Sequence, residues 1–202
     1  MNKYKELKEF RRYKANYEFI PKTIEEIEGK EYCEGYPLKN DEDQMIGECE
    51  KWINVGYKHK GSIAKALSNL FPYSFKFRGK KLNSIESFFQ GIKFKDINMQ
   101  NYIFEYSGLD SNRVKVCNDY DWKKTGKIYW QGKEIDRYSK KYEELVDEMY
   151  VCAIQNPLYR NVLKKSGKYI MHSIGDKEKN ETVFTRHEFE KELNCLKDFL
   201  NK

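Results

Sequence analysis

LSNLFPYSFKFRGKKLNSIESFFQGIKF, residues 67–94, carries two periodicities in succession. Tyr73, Phe75 and Phe77 alternate with Ser74, Lys76 and Arg78, the two-residue period of a half-buried strand; Pro72 opens the run and Gly79 turns the chain. From Asn83 to Phe94 the spacing becomes helical, and Phe88, Phe89 and Phe94 make that helix apolar round much of its circumference. Glu86, Gln90 and Lys93 then fall at i, i+4 and i+7 and share one face. A carboxylate, an amide and an amine on one face of an aromatic-rich helix are placed to border a cleft. The competing reading is structural: with Asn83 as N-cap, Glu86 stands at the third helical position, where a capping box would engage its carboxylate.

Working outward, Tyr4, Leu7, Phe10, Tyr13 and Tyr17 recur at helical steps over residues 1–19 until Pro21 ends the pattern. A short helix is expected at Thr23–Gly29, and an acidic loop at 30–50. Residues 1–50 thus read as an accessory segment, offering itself to a protein partner, ahead of a domain at 51–202. Within that domain Trp52–Val55 and Tyr169–Ser173 read as strands, and Met99–Tyr106 as a helix. Turn residues cluster at 108–112. Ser139 is placed to cap a helix whose apolar stripe is Tyr142, Leu145, Val146, Met149 and Ala153. Pro157 and Gly167 bracket another helix, and Thr185 with Glu188 forms a capping box before a last one. Helices dominate and strands do not alternate with them. The expected class is α+β, a mostly helical single domain with a small sheet of short strands.

The chain has 202 residues, 39% hydrophobic, 35% charged and 15% aromatic, which is too aromatic for a disordered chain. A net charge of +6 from well-mixed residues, without an arginine-rich run, permits a phosphate-bearing partner without demanding a nucleic acid. No two of the five cysteines sit at C-x-x-C spacing, His59 and His187 lack company, and no metal or cofactor is called for. No apolar run reaches membrane length and the charged N-terminus lacks a signal core, so a cytoplasmic protein is expected.

The 67–94 stretch resembles the signature of the NADAR superfamily, N-glycosidase-like proteins associated with NAD and ADP-ribose metabolism. Leu67-Ser68-Asn69-Leu70, Gly79, Ser84-Ile85-Glu86, Phe89-Gln90 and Lys93-Phe94 follow that signature in order and spacing, and the resemblance extends over roughly residues 52–180. Two departures stand out. Ser87 occupies the place of the family's histidine, and Glu181–Arg186 replaces its D-x-x-W-G-x-G element.

The resemblance implies cleavage of the bond between ribose C1′ and a base or amine nitrogen, in an ADP-ribosylated or ribosylamine-phosphate substrate. Glu86 would be the acid/base and Lys93 a Schiff-base nucleophile, with Asn69 and Gln90 on the ribose. Tyr129 and Trp130 are candidates to stack on a base, Arg137 to fork onto a phosphate, and His172 and Asp176 to line the pocket. The expected partner is an ADP-ribose-type small molecule, with a nucleic acid carrying ADP-ribose as the second candidate. The alternative implied by the departures is a catalytically inactive ADP-ribose-binding module.

Overall fold

Asn2 accepts a hydrogen bond from the Tyr4 N–H and so starts the first helix, α1 (Lys3–Lys14). In chain order there follow β1 (Trp52–Asn54), α2 (Ser62–Ala66), β2 (Phe75–Phe77), β3 (Lys80–Leu82), α3 (Ile85–Gly91), α4 (Ile97–Phe104), α5 (Trp122–Thr125), β4 (Lys127–Trp130), β5 (Lys133–Asp136), α6 (Lys140–Ala153), α7 (Pro157–Ser166), β6 (Tyr169–Met171) and α8 (Arg186–Leu200). This computed structural model describes residues 2–22, 42–108, 110, 121–173 and 177–202. The helix expected at 23–29, much of the loop at 30–50 and most of the turn at 108–112 lie outside the described residues.

The fold is α+β, with helices packed round short strands. Among the described residues those strands form three separate two-stranded ladders, not a single small sheet. β1 and β6 run parallel, with Trp52 opposite Tyr169. The other two ladders are hairpins, β2 with β3 and β4 with β5. Each hairpin closes through two residues of positive φ, Arg78 (+45°) with Gly79 (+82°) and Gln131 (+49°) with Gly132 (+77°). That pair of left-handed residues matches the right-handed strand twist, and glycine takes the second place without strain.

Local signals start the later helices as their sequences dictate. The Ser139 hydroxyl accepts from the Tyr142 N–H, Pro157 occupies the first turn of α7, and Gly167 ends it with φ of +59°. Thr185 and Glu188 form the reciprocal capping box of α8. α6 runs through the centre, with Tyr142, Leu145, Val146, Met149 and Tyr150 all in the main core. Asn194 of α8 meets the backbone of Ile170 in both directions, as acceptor at 3.0 Å and donor at 2.7 Å, which ties α8 to β6.

α1 packs into this core. Leu7 and Phe10 are buried in the main hydrophobic cluster, and the buried Glu6 carboxylate accepts from Arg160 at 2.7 Å and Gln155 at 2.6 Å. Lys14 bridges Asp147 of α6 and Glu192 of α8. Burial raises the Glu192 carboxyl to about 7, more than its pairing with Lys14 lowers it, and neighbouring Asp147 adds to the rise. Its Oε1 has no hydrogen-bond partner. A carboxyl held above its unfolded value of about 4.3 gives stability that is whole below that value. That stability is lost as pH rises through about 7. Glu192→Gln, which mimics the protonated form, is therefore expected to leave the melting temperature near wild type at pH 5 and raise it at pH 8. An unchanged or lower value at pH 8 would mean that pairing with Lys14 outweighs burial.

Candidate active site

The first residues to settle are those of α3. Its N-cap is Ser84, whose hydroxyl accepts from the Ser87 N–H at 3.1 Å, so Glu86 is the second helical residue and makes no capping box. Asn83 is engaged elsewhere, donating to the Glu105 carbonyl at 2.6 Å and accepting from the Ser74 hydroxyl at 3.1 Å. The Glu86 backbone N–H is satisfied by the Asn69 carbonyl at 2.8 Å, which pins the 68–70 loop over the start of the helix. The Glu86 side chain is thereby released from helix capping. The buried Ser87 hydroxyl donates to the Ser84 carbonyl and is not among the cavity-lining residues.

Glu86, Gln90 and Lys93 line one cavity of about 490 Å³. Gln90 Nε2 donates to Glu86 Oε1 at 2.6 Å, and Lys93 Nζ donates to Gln90 Oε1 at 2.7 Å. This amide orientation is the one that suits both neighbours, since the reverse would set oxygen against carboxylate and N–H against ammonium. The amide thus stands between carboxylate and amine, linking them electrostatically while holding them apart. Gln90 and Lys93 are both buried, so these hydrogen bonds are shielded from bulk water.

Asn69 joins them through the loop. Tyr150, whose hydroxyl burial keeps protonated, donates to Asn69 Oδ1 at 3.0 Å, and this fixes Asn69 Nδ2 as a donor for a ligand. His172, just past β6, also lines the cavity. Its Nδ1 lies 2.7 Å from the Val55 carbonyl, which assigns the proton to Nδ1 and makes Nε2 an acceptor. Burial, the larger effect, lowers its pKa despite that bond, so the ring is neutral at pH 7. The Glu190 carboxylate holds the His172 backbone N–H at 2.8 Å and ties the residue to α8.

Aromatic walls complete the cavity, from Phe89, Trp122, Phe184 and Phe189. Phe184 stacks on Phe89 with centroids 4.5 Å apart. It precedes the Thr185 cap and meets Phe189 in the first turns of α8, a hydrophobic staple that sets its position. Among the described residues the lining carries Lys93, Lys123, Lys177 and Arg186 against Glu86 and Glu181. That surplus of positive charge favours an anionic ligand.

Three expected site residues stand elsewhere. Trp130 is buried, stacked on Phe104 at 5.4 Å and edge-on to Phe77 at 4.7 Å, so its ring fills the core. Arg137 is buried and forks onto Glu188 through both terminal nitrogens, beneath the capping box of α8 and 4.3 Å from the Tyr142 ring. Burial pushes the Glu188 carboxyl up, but the Arg137 hydrogen bonds and charge overcome that and hold it below its usual range. Tyr129 borders a separate, more open hollow of about 1280 Å³ that also touches Lys93. Asp176 lies outside the described residues. Conversely, Trp122, Lys123, Lys177, Phe184 and Arg186 line the cavity without having been expected there. Only Phe184 carried a local signal, as the staple residue before a capping box. Among the described residues no three metal-binding side chains stand together, and no helix is long and apolar enough to cross a membrane.

Fold and site together define an α+β domain holding a cation-rich cleft over a carboxylate–amide–amine helix face. The chain belongs to the family of bacteriophage protein GP30.3, whose model matches residues 61–198. It is similar to an uncharacterized 17.1 kDa protein in the Gp30-rIII intergenic region of Enterobacteria phage T4, 36% identical over 140 residues that cover 67% of this chain and 90% of the relative. No solved structure matches it.

Proposed function

We propose that this protein is an N-glycosidase of NADAR type, cleaving the bond between ribose C1′ and a base or amine nitrogen in an ADP-ribosylated or ribosylamine-phosphate substrate. The observation that carries the reading is the Glu86–Gln90–Lys93 relay in the wall of a cavity of about 490 Å³. The ordered match of residues 67–94 to the NADAR signature supports it.

Breaking the C1′–N bond sends its electron pair to the departing nitrogen, which takes up the proton held by Glu86, and leaves oxocarbenium charge on the sugar. The Glu86 carboxylate stabilises that charge. In its deprotonated form, Lys93 bonds to C1′ through Nζ, and the proton released from that nitrogen goes to the Glu86 carboxylate. Opening of C1′–O4′, with the electron pair going to O4′ and the proton returning to it from Glu86, then gives an iminium that water hydrolyses, restoring the amine. Asn69 Nδ2 and the Gln90 amide hold the ribose hydroxyls. An aromatic cavity of this size sequesters the sugar from bulk water.

The test is incubation with NAD, ADP-ribose, ADP-ribosylated guanosine in DNA and a ribosylaminopyrimidine phosphate, read by mass spectrometry with and without borohydride. The expected result is free base together with a reduced adduct on Lys93. Thermal stabilisation by one of these compounds without any product would assign the cleft to a non-catalytic binding module, the role consistent with Ser87 and with the replaced Trp-Gly element. Neither product nor stabilisation would sink both readings.

A further inference from the structure

β1 and β6 run parallel, and the crevice beyond the carboxyl ends of parallel strands is where open α/β sheets seat their ligands. Val55 follows β1, His172 follows β6, and both line the cavity. A histidine at the end of a strand can be purely structural, and His59 shows how. Its Nδ1 lies 2.8 Å from the Asn54 carbonyl, its Nε2 is buried without a partner, and it takes no part in the cavity wall. His172 fastens Nδ1 in the same way, on Val55 at 2.7 Å, and differs at the other nitrogen. Its Nε2 has no hydrogen-bond partner among the described residues and, unlike that of His59, is not shut off from solvent. The ring sits between Val55 and Phe189, whose ring centroid is 5.4 Å away, and both of these line the cavity. The open nitrogen therefore belongs to the cavity wall, in the same enclosure as Lys93. The two carboxylates of that wall already hold N–H groups, Glu86 that of Gln90 at 2.6 Å and Glu181 that of Glu178 at 3.2 Å.

We propose that His172 is the base for the second half of the reaction, taking a proton from the water that attacks the iminium carbon. The proposal rests on the N-glycosidase reading and assigns the step that frees Lys93. The water oxygen bonds to C1′, the C=N electron pair moves to Nζ, and the proton leaving the water goes to His172 Nε2. The imidazolium then returns that proton to Nζ of the carbinolamine. The C1′–Nζ bond breaks with its electron pair going to Nζ, the C1′ hydroxyl becomes a carbonyl, and its proton goes to the Glu86 carboxylate. Lys93 ends as a free amine, His172 as a neutral imidazole, and Glu86 holds the proton for the next departing nitrogen. A neutral imidazole suits this work because a base is most effective when its pKa lies near the working pH. The Val55 carbonyl keeps the Nδ1 proton throughout and so favours the imidazolium as it forms.

Quenched time courses with NAD, ADP-ribosylated guanosine in DNA and a ribosylaminopyrimidine phosphate follow release of base and, after borohydride, the adduct on Lys93. His172→Asn keeps an amide N–H for the Val55 carbonyl and removes the base. In this variant the first equivalent of base should appear at a rate within about threefold of wild type, since bond cleavage does not use His172. Later turnovers should slow by about 10²-fold, within the range for a general base. The trapped adduct should meanwhile rise to about one per protein, the burst that marks a stalled covalent intermediate. His172→Ala should show the same burst, and added imidazole should restore its later turnovers, which loss of a merely structural side chain would not allow. Slowing from the first turnover without a rise in adduct, or full turnover in His172→Asn, overturns the role of His172 while the glycosidase reading stands. Base released by the wild-type protein with no trappable adduct overturns it too, because no iminium then awaits water. No base from any of the three compounds with the wild-type protein overturns the glycosidase reading and this proposal with it.

Discussion

Glu86→Gln is expected to lower turnover by about 10³-fold, within the usual range for removing a general acid/base. Ligand affinity should change by less than about threefold, because the loss falls on the transition state and not on ground-state binding. The substitution keeps side-chain size, and its amide oxygen can still accept from Gln90 Nε2, so the 2.6 Å contact that orders the relay survives. What disappears is a full negative charge and the ability to hold a proton. Because Ser84 and not Asn83 caps α3, Glu86 has no capping role to lose, and the melting temperature should stay at the wild-type value. Steady-state kinetics on the substrate that releases base, with calorimetric binding of the same compound, separates the two effects. Full activity in this variant would remove Glu86 from the chemistry. A large fall in melting temperature would mark it as a structural residue.

The relay was legible because it lies within one helix, where the periodicity of 3.6 residues alone puts Glu86, Gln90 and Lys93 on a common face. Local signals likewise announced the caps at Ser139 and Thr185 and the bracketing of α7 by Pro157 and Gly167. Reading failed where two good candidates adjoin. Asn83 and Ser84 both suit an N-cap, and the decision was made by the Glu105 carbonyl and the Ser74 hydroxyl, which occupy Asn83 from outside the helix. It failed again where a partner is distant in sequence. Nothing near Arg137 announces Glu188, and nothing near Trp122 announces Phe184 or Lys177 as neighbours round one cavity. Strand pairing has the same character: the parallel match of β1 with β6 depends on the layers between them, not on either segment.

Phe10→Ala is expected to cost about 3–5 kcal/mol, the range for emptying a fully buried aromatic site. The size of that loss decides whether the N-terminal helix is an appendage or part of the core. The family match begins at residue 61 and leaves α1 outside it. Yet Phe10 is fully buried, edge-on to Phe199 of α8 with centroids 5.5 Å apart. Round it, Glu6 receives Arg160 and Gln155, Lys14 joins Asp147 to Glu192, and Tyr17 donates to Asp198 at 2.9 Å. These contacts fasten α1 to α6, α7 and α8 together, so a cavity at Phe10 lies where three helices meet and cannot close by movement of α1 alone. Urea unfolding followed by far-ultraviolet dichroism and by tryptophan fluorescence should give one coincident transition, at a lower midpoint in the variant. The tryptophans lie in β1, α5 and β4, none of them in α1, so fluorescence reports the rest of the domain. A cost below about 1 kcal/mol, far under that of a buried aromatic, would make α1 an accessory after all, as would a fluorescence midpoint unmoved by the substitution. A full cost seen by both probes makes the helix a constituent of the fold that holds the cleft, since α8 packs on α1 through Phe199 and lines the cavity through Arg186 and Phe189.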